Sequence, residues 1–169
     1  MVVYFSCAIN YLKKCENKMV SINGALGPLS SQKISEFEKS FGINLPNDYK
    51  IFLEEYNGGK PTPNSFDFDD GNDASCIDKF LSVTDNDENK SICEYMSTYK
   101  GRIPKGFLII AHDPGGNLIL LGVSEGQKGL YFWDHEMEAE DDEEPSFENM
   151  HFITTSFEEL LLSVYEVEI

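Results

Sequence analysis

Two short clusters hold the side chains best suited to chemistry. His112-Asp113 opens the hexapeptide HDPGGN (112–117), and Asp134-His135-Glu136 follows the next apolar run but one. If His112, Asp113, Asp134 and His135 converged, they would make a metal-assisted or acid–base hydrolytic centre. Gly115-Gly116 raises a second possibility, a loop that cradles phosphate. A P-loop requires G-x-x-x-x-G-K-[ST] between a strand and a helix, because the helix N-terminus and the lysine hold the anion. Here an apolar run, Leu118–Val123, follows the glycines and no lysine does. The dinucleotide spacing G-x-G-x-x-G is also absent. A tight turn accounts for the hexapeptide, with Gly115 and Gly116 at positive φ and Asp113 and Asn117 bonding the turn backbone. The stretch DFDDGND (67–73) suggests calcium. With Gly71 at the sixth loop position, however, Phe66 and Ile77 occupy the first and twelfth, where oxygen ligands are needed.

Charge narrows the partner classes. The chain has 169 residues, 41% of them apolar, and a formal net charge of −17. Residues 129–169 contain thirteen carboxylates and neither Lys nor Arg. Eight of these crowd one stretch: Asp134, Glu136, Glu138, Glu140, Asp141, Asp142, Glu143 and Glu144. Such a field repels nucleic acid and anionic lipid and attracts basic protein surfaces. Solubility alone would also use a net negative charge; the clustering favours a basic partner. No apolar run approaches the ~18 residues of a membrane helix. Lys13 and Lys14 follow the apolar start rather than precede it, the wrong order for a secretory signal. A cytoplasmic protein is expected. Cys7, Cys15, Cys76 and Cys93 lack C-x-x-C spacing, so reduced thiols are expected.

The elements follow from periodicity. Helical spacing of Tyr4, Phe5, Ala8, Ile9 and Leu12 predicts a helix over 4–17. Residues 21–30, with Gly24, Gly27 and Pro28, read as a loop. A second helix follows, capped by Ser31 and stopped by Gly42. Pro46 suits the first turn of a third helix bearing Tyr49, Phe52, Leu53 and Tyr56, which Asn57-Gly58-Gly59 ends. That pair is no DNA reader, since Asn47 and Lys50 stand among Asp48, Glu54 and Glu55. Short strands are expected near Phe66–Phe68 and over Ile77–Val83, and a helix near Ile92–Tyr99 capped by Ser91. GFLIIAHD, LILLGV and GLYFWDHE, separated by turn residues, predict an antiparallel meander covered on both faces. A mobile acidic loop, Glu136–Glu144, follows. HFITT reads as a last strand and SFEELLLSVYE as a last helix, with Ser156 and Glu159 at capping-box spacing.

Three blocks then stand in a recognisable order: ISEFEKSFGINLPNDYKIFLEEYNGGKP (34–61), GFLIIAHDPGGNLILL (106–121) and GLYFWDHE (129–136). They resemble the SUKH superfamily, which takes in a fungal cell-wall-assembly regulator and many bacterial immunity proteins. The resemblance spans about residues 31–165. It implies one α+β domain over 1–169, with a mainly antiparallel sheet of about five to six strands packed by N-terminal helices and a C-terminal helix. It implies a non-enzymatic role without cofactor or metal: binding and neutralising a toxin, often a nuclease. Leu45, Pro46, Tyr49, Gly58, Gly59, Asp113, Gly116, Asn117 and Trp133 match its pattern and read as fold determinants. Residues 136–148 are an acidic insert outside that pattern. With Asp134 they form the candidate partner surface for a basic toxin domain, on a monomer or weak homodimer that binds neither nucleic acid nor membrane. An intracellular scaffold that binds host proteins is the alternative from the fungal relatives, and the His112/Asp113/Asp134/His135 hydrolase is a third.

Overall fold

The three apolar runs of the last third pair as their turn residues predict. In a computed structural model, which describes residues 20–84, 91–140 and 143–167, the elements in chain order are β1 (Ser21–Asn23), α1 (Ser31–Phe41), α2 (Asn47–Glu55), β2 (Lys60–Thr62), β3 (Ser65–Asp67), β4 (Ala74–Cys76), β5 (Lys79–Phe80), α3 (Ile92–Thr98), β6 (Phe107–His112), β7 (Leu118–Gly122), β8 (Gly129–Trp133), β9 (Met150–Thr154) and α4 (Phe157–Ser163). The helix predicted over 4–17, with Cys7, Cys15, Asp141 and Asp142, lies outside the described residues. The fold is α+β. Its main sheet is five-stranded and antiparallel, in the order β5-β6-β7-β8-β9. Two small two-stranded sheets, β1-β2 and β3-β4, accompany it.

The sheet is covered on both faces. Adjacent residues of a strand point to opposite sides. On β8, Trp133 meets Tyr99 edge-on at 5.7 Å, just past α3, while Phe132 meets Phe68 at 5.0 Å, just past β3. Hence α3 and the β3–β4 hairpin lie on opposite faces, and all of β7 is buried. Each edge strand is also engaged at one residue. Gly59 exchanges backbone hydrogen bonds with Phe80 of β5, and the Asp69 N–H donates to the Phe152 carbonyl of β9.

The LPNDY block explains how the helices assemble. Leu45 is buried, and its N–H donates to Glu38 Oε1 at 2.7 Å. Lys50 Nζ reaches the same carboxylate at 2.8 Å, tying α2 to α1. Asp48 accepts from the Glu158 N–H at 2.9 Å, which satisfies an orphan donor in the first turn of α4. Tyr49 and Phe52 then pack against Phe157, each with ring centroids 4.9 Å away, and Phe80 completes the cluster. The Asn57-Gly58-Gly59 stop runs through three consecutive positive-φ residues. A Cβ on Gly59 would meet Ile22 at 2.6 Å. The Asn57 side chain holds the Val83 N–H and the Thr84 hydroxyl, each at 2.9 Å.

Several expectations shift. Residues 21–23 form a strand rather than loop, because Lys60–Thr62 offers them a backbone partner. Ser30, not Ser31, caps α1 by accepting from the Lys33 N–H; Ser31 bonds Glu54 instead. Pro46 is the residue before α2 rather than inside its first turn. The strand expected over Ile77–Val83 contracts to Lys79–Phe80. The last helix ends at Ser163, because Val164 turns extended and Tyr165 pairs with Ser65. Its capping box is half made: Ser156 accepts from the Glu159 N–H, but the Glu159 carboxylate takes the Thr154 and Thr155 hydroxyls. The full box belongs to α3, where Ser91 and Glu94 bond each other's N–H groups.

Candidate partner-binding face

The HDPGGN corner is a turn, held by a chain of side-chain hydrogen bonds. Buried Asp113 accepts from the Asn117 N–H and from Asn117 Nδ2, both at 2.8 Å. Asn117 Oδ1 in turn takes the His135 N–H at 3.0 Å and faces His135 Nδ1 at 2.7 Å, which places a proton on that nitrogen. Gly116 has φ +97°; Gly115 does not share the positive φ expected of it. This chain of bonds ties the β6–β7 turn to the end of β8. The next bonds fasten the acidic insert. Asp134 accepts from the Glu136 N–H at 2.8 Å and starts a single 3-10 turn, His135–Met137. The Asp134 N–H donates to the Asn149 carbonyl at 2.9 Å, and Asn149 Nδ2 donates to the Asp134 carbonyl at 2.8 Å. The insert is therefore a loop closed at its base.

One limb of that loop is fastened a second time. Arg102 grips Glu138 with two hydrogen bonds of 2.6 Å each. Its guanidinium lies 4.6 Å from the Tyr99 ring centroid and 5.9 Å from that of buried Trp133. A planar fork over aromatic faces is the arrangement arginine suits and lysine does not. Beside the pair lies a cavity of about 290 Å³ whose walls include Lys100, Arg102, Glu138, Glu140 and Glu143. Glu138 is thus half-buried and paired within the chain. Glu136, Glu140, Glu143 and Glu144 are exposed, and none forms an ion pair with a described residue. Asp134 is half-buried and works as a cap.

The residues of the hydrolytic alternative are engaged in other contacts. His112 stacks on Tyr95 at 5.7 Å and sits 3.8 Å from Asp78, while His135 serves Asn117. Among the described residues no three of His, Cys, Asp and Glu converge on a metal position. The spacing G-x-S-x-G does occur, at Gly122–Gly126. A nucleophile elbow needs that serine at a strand-to-helix turn. Ser124 instead sits between the antiparallel strands β7 and β8, at the Gly122 end, whereas His112 pairs with Leu118 at the opposite end. Burial, with Asp113 and Asp78 nearby, pushes the Cys76 thiol up, away from a reactive thiolate.

A family model described as SMI1 / KNR4 family (SUKH-1) matches residues 28–163. The chain belongs to this family. Of the residues that carry the resemblance, Leu45 and Tyr49 lie in the helical core, Gly58 and Gly59 against β5, and Asp113, Gly116 and Asn117 at the corner beside buried Trp133. The chain is 29% identical over 154 residues to the SPbeta prophage-derived uncharacterized protein YokK of Bacillus subtilis (strain 168), covering 81% of this chain and 75% of that protein. A short segment of 31 residues is 52% identical to the uncharacterized protein YnaB of the same organism, covering 18% of this chain and 22% of YnaB. No described helix is long and apolar enough to cross a membrane.

Proposed function

We propose that this SUKH-1 chain is a non-enzymatic immunity protein that acts in the cytoplasm as a monomer or weak homodimer. Its partner is a cognate toxin, a basic domain of the nuclease type, which it neutralises by direct binding. The observation that carries the reading is the insert: a base-closed loop that exposes Glu136, Glu140, Glu143 and Glu144 in a region with no Lys or Arg after Lys128. Carboxylates presented on such a loop can take the position of nucleic acid phosphates on a basic active face. The prophage origin named for YokK fits a setting of genetic conflict. Opposed charge raises association rates about 10- to 1000-fold and fades as salt screens it.

The test pairs this chain with the product of an adjacent gene that proves toxic when expressed alone, its adjacent-gene toxic domain. Co-expression should restore growth of cells that make the toxic domain, and the two proteins should elute together in size-exclusion chromatography. Replacing Glu136, Glu140, Glu143 and Glu144 with Gln should slow association about tenfold at low salt and flatten its salt dependence. Unrelieved toxicity without complex formation would refute the reading.

A further inference from the structure

The geometry points to Met137 and Phe147 as the apolar anchors of a docking surface for a basic protein, an inference that rests on the binding reading above. Both are large apolar side chains left in solvent, 69% and 52% exposed. They stand on opposite limbs of one closed loop. Met137 lies three residues beyond Asp134 and Phe147 two residues before Asn149, and those two residues are hydrogen-bonded to each other. A chain spans at most about 3.6 Å per residue, so both anchors fall within a patch on the order of 20 Å across. The other strongly exposed apolar residues, such as Ile51 and Val167, lie outside this loop.

The surroundings define the occupant. Glu136, Glu140, Glu143, Glu144 and Glu148 are exposed along the same limbs. Apolar anchors inside a charged rim are the usual anatomy of a protein interface. A nucleic acid is repelled by the rim, and a second copy of a chain of charge −17 carries the same sign. The complementary surface is a protein with Lys and Arg around apolar pockets. The anchors are also partly preset. The Phe147 ring sits edge-on to Phe107 at 5.9 Å, and the Arg102–Glu138 pair follows Met137 directly in its limb. Less ordering is then left for binding to impose. The unbranched thioether of Met137 adapts to an irregular pocket.

The experiment titrates the adjacent-gene toxic domain with the wild-type chain, Met137→Ser, Phe147→Ser, Met137→Leu and the fourfold Gln variant. Both Ser variants should raise Kd about tenfold or more, mainly through faster dissociation. Met137→Leu should stay within about threefold of wild type. The Gln variant should change the association rate instead. Trp133 fluorescence and thermal unfolding check that each variant is folded. Wild-type binding that survives both Ser substitutions would overturn the anchors and leave the binding reading standing. Absence of wild-type binding would remove that reading, and the anchors with it.

Discussion

Between α2, α4 and β5, the rings of Tyr49, Phe52, Phe80 and Phe157 pack centroid to centroid within about 6 Å, all of them buried. Elsewhere, the stretch from Asp134 to Asn149 fixes its two ends with hydrogen bonds and leaves Met137 and Phe147 in water. The two regions use the same residue types for opposite ends. Phe157 lowers the free energy of the fold by leaving solvent. Phe147 stays in solvent while seated against Phe107, so its apolar surface is still available. Stability is concentrated in the first region and the proposed recognition in the second, and substitutions can tell them apart.

The largest contrast is expected from one change made twice. Phe157→Ala should cost about 3–5 kcal/mol, because it empties a ring-lined site. Phe147→Ala should cost less than about 1 kcal/mol, since the ring is half in water already. Denaturant unfolding of both variants measures the difference, and equal losses would erase the distinction between the regions. A smaller effect comes from the polar tie beneath the cluster. Burial works to raise the Glu38 carboxyl, but the Lys50 ammonium and the Leu45 N–H outweigh it and hold the group below its ordinary 4.5. A carboxyl depressed by folding contributes stability that is complete above its unfolded value and is lost as pH falls through the folded one. The wild type should therefore weaken on acidification below about 4.5, and Glu38→Gln should weaken less steeply there. At neutral pH the Gln variant should be less stable by about 1 kcal/mol, as urea titration at several pH values would show. The smallest effect runs the other way. Among the described residues the Tyr49 hydroxyl has no hydrogen-bond partner, although the ring is fully buried. Tyr49→Phe should raise stability by a few tenths to about 1 kcal/mol, visible as a higher melting temperature. A loss would mean that the hydroxyl has a partner after all.

The sequence made the core legible where local signals and tertiary packing agree. The meander of β6, β7 and β8 declared itself through apolar runs bounded by turn residues, and Ser91 with Glu94 announced the start of α3. The aromatic stripe of α2 faces where its period says it should. What stayed hidden depends on partners distant in the chain. β1, β2 and β4 are three residues long and take their strand form from a partner. Phe80 finds Gly59, and Tyr165 finds Ser65, across separations that carry no local signature. At the candidate surface the charge was plain, yet Glu138 could not be told from its neighbours. Only the fold brings Arg102, 36 residues away, onto it. Met137 and Phe147 were equally invisible as anchors, because composition records that a side chain is apolar and not that it is left outside.

The covered rims of the main sheet set a rule for any encounter. Gly59 already occupies the backbone of β5, and the turn after β3 has taken a carbonyl of β9. A strand added at either point would have to displace a main-chain hydrogen bond already made, which disfavours there the zipping of main chain to main chain that leads from loose contact to fibrils. At those points a visitor is left with side chains to read. Under the proposed binding role, discrimination between related visitors would then rest on a few exchangeable side chains above a framework that need not change.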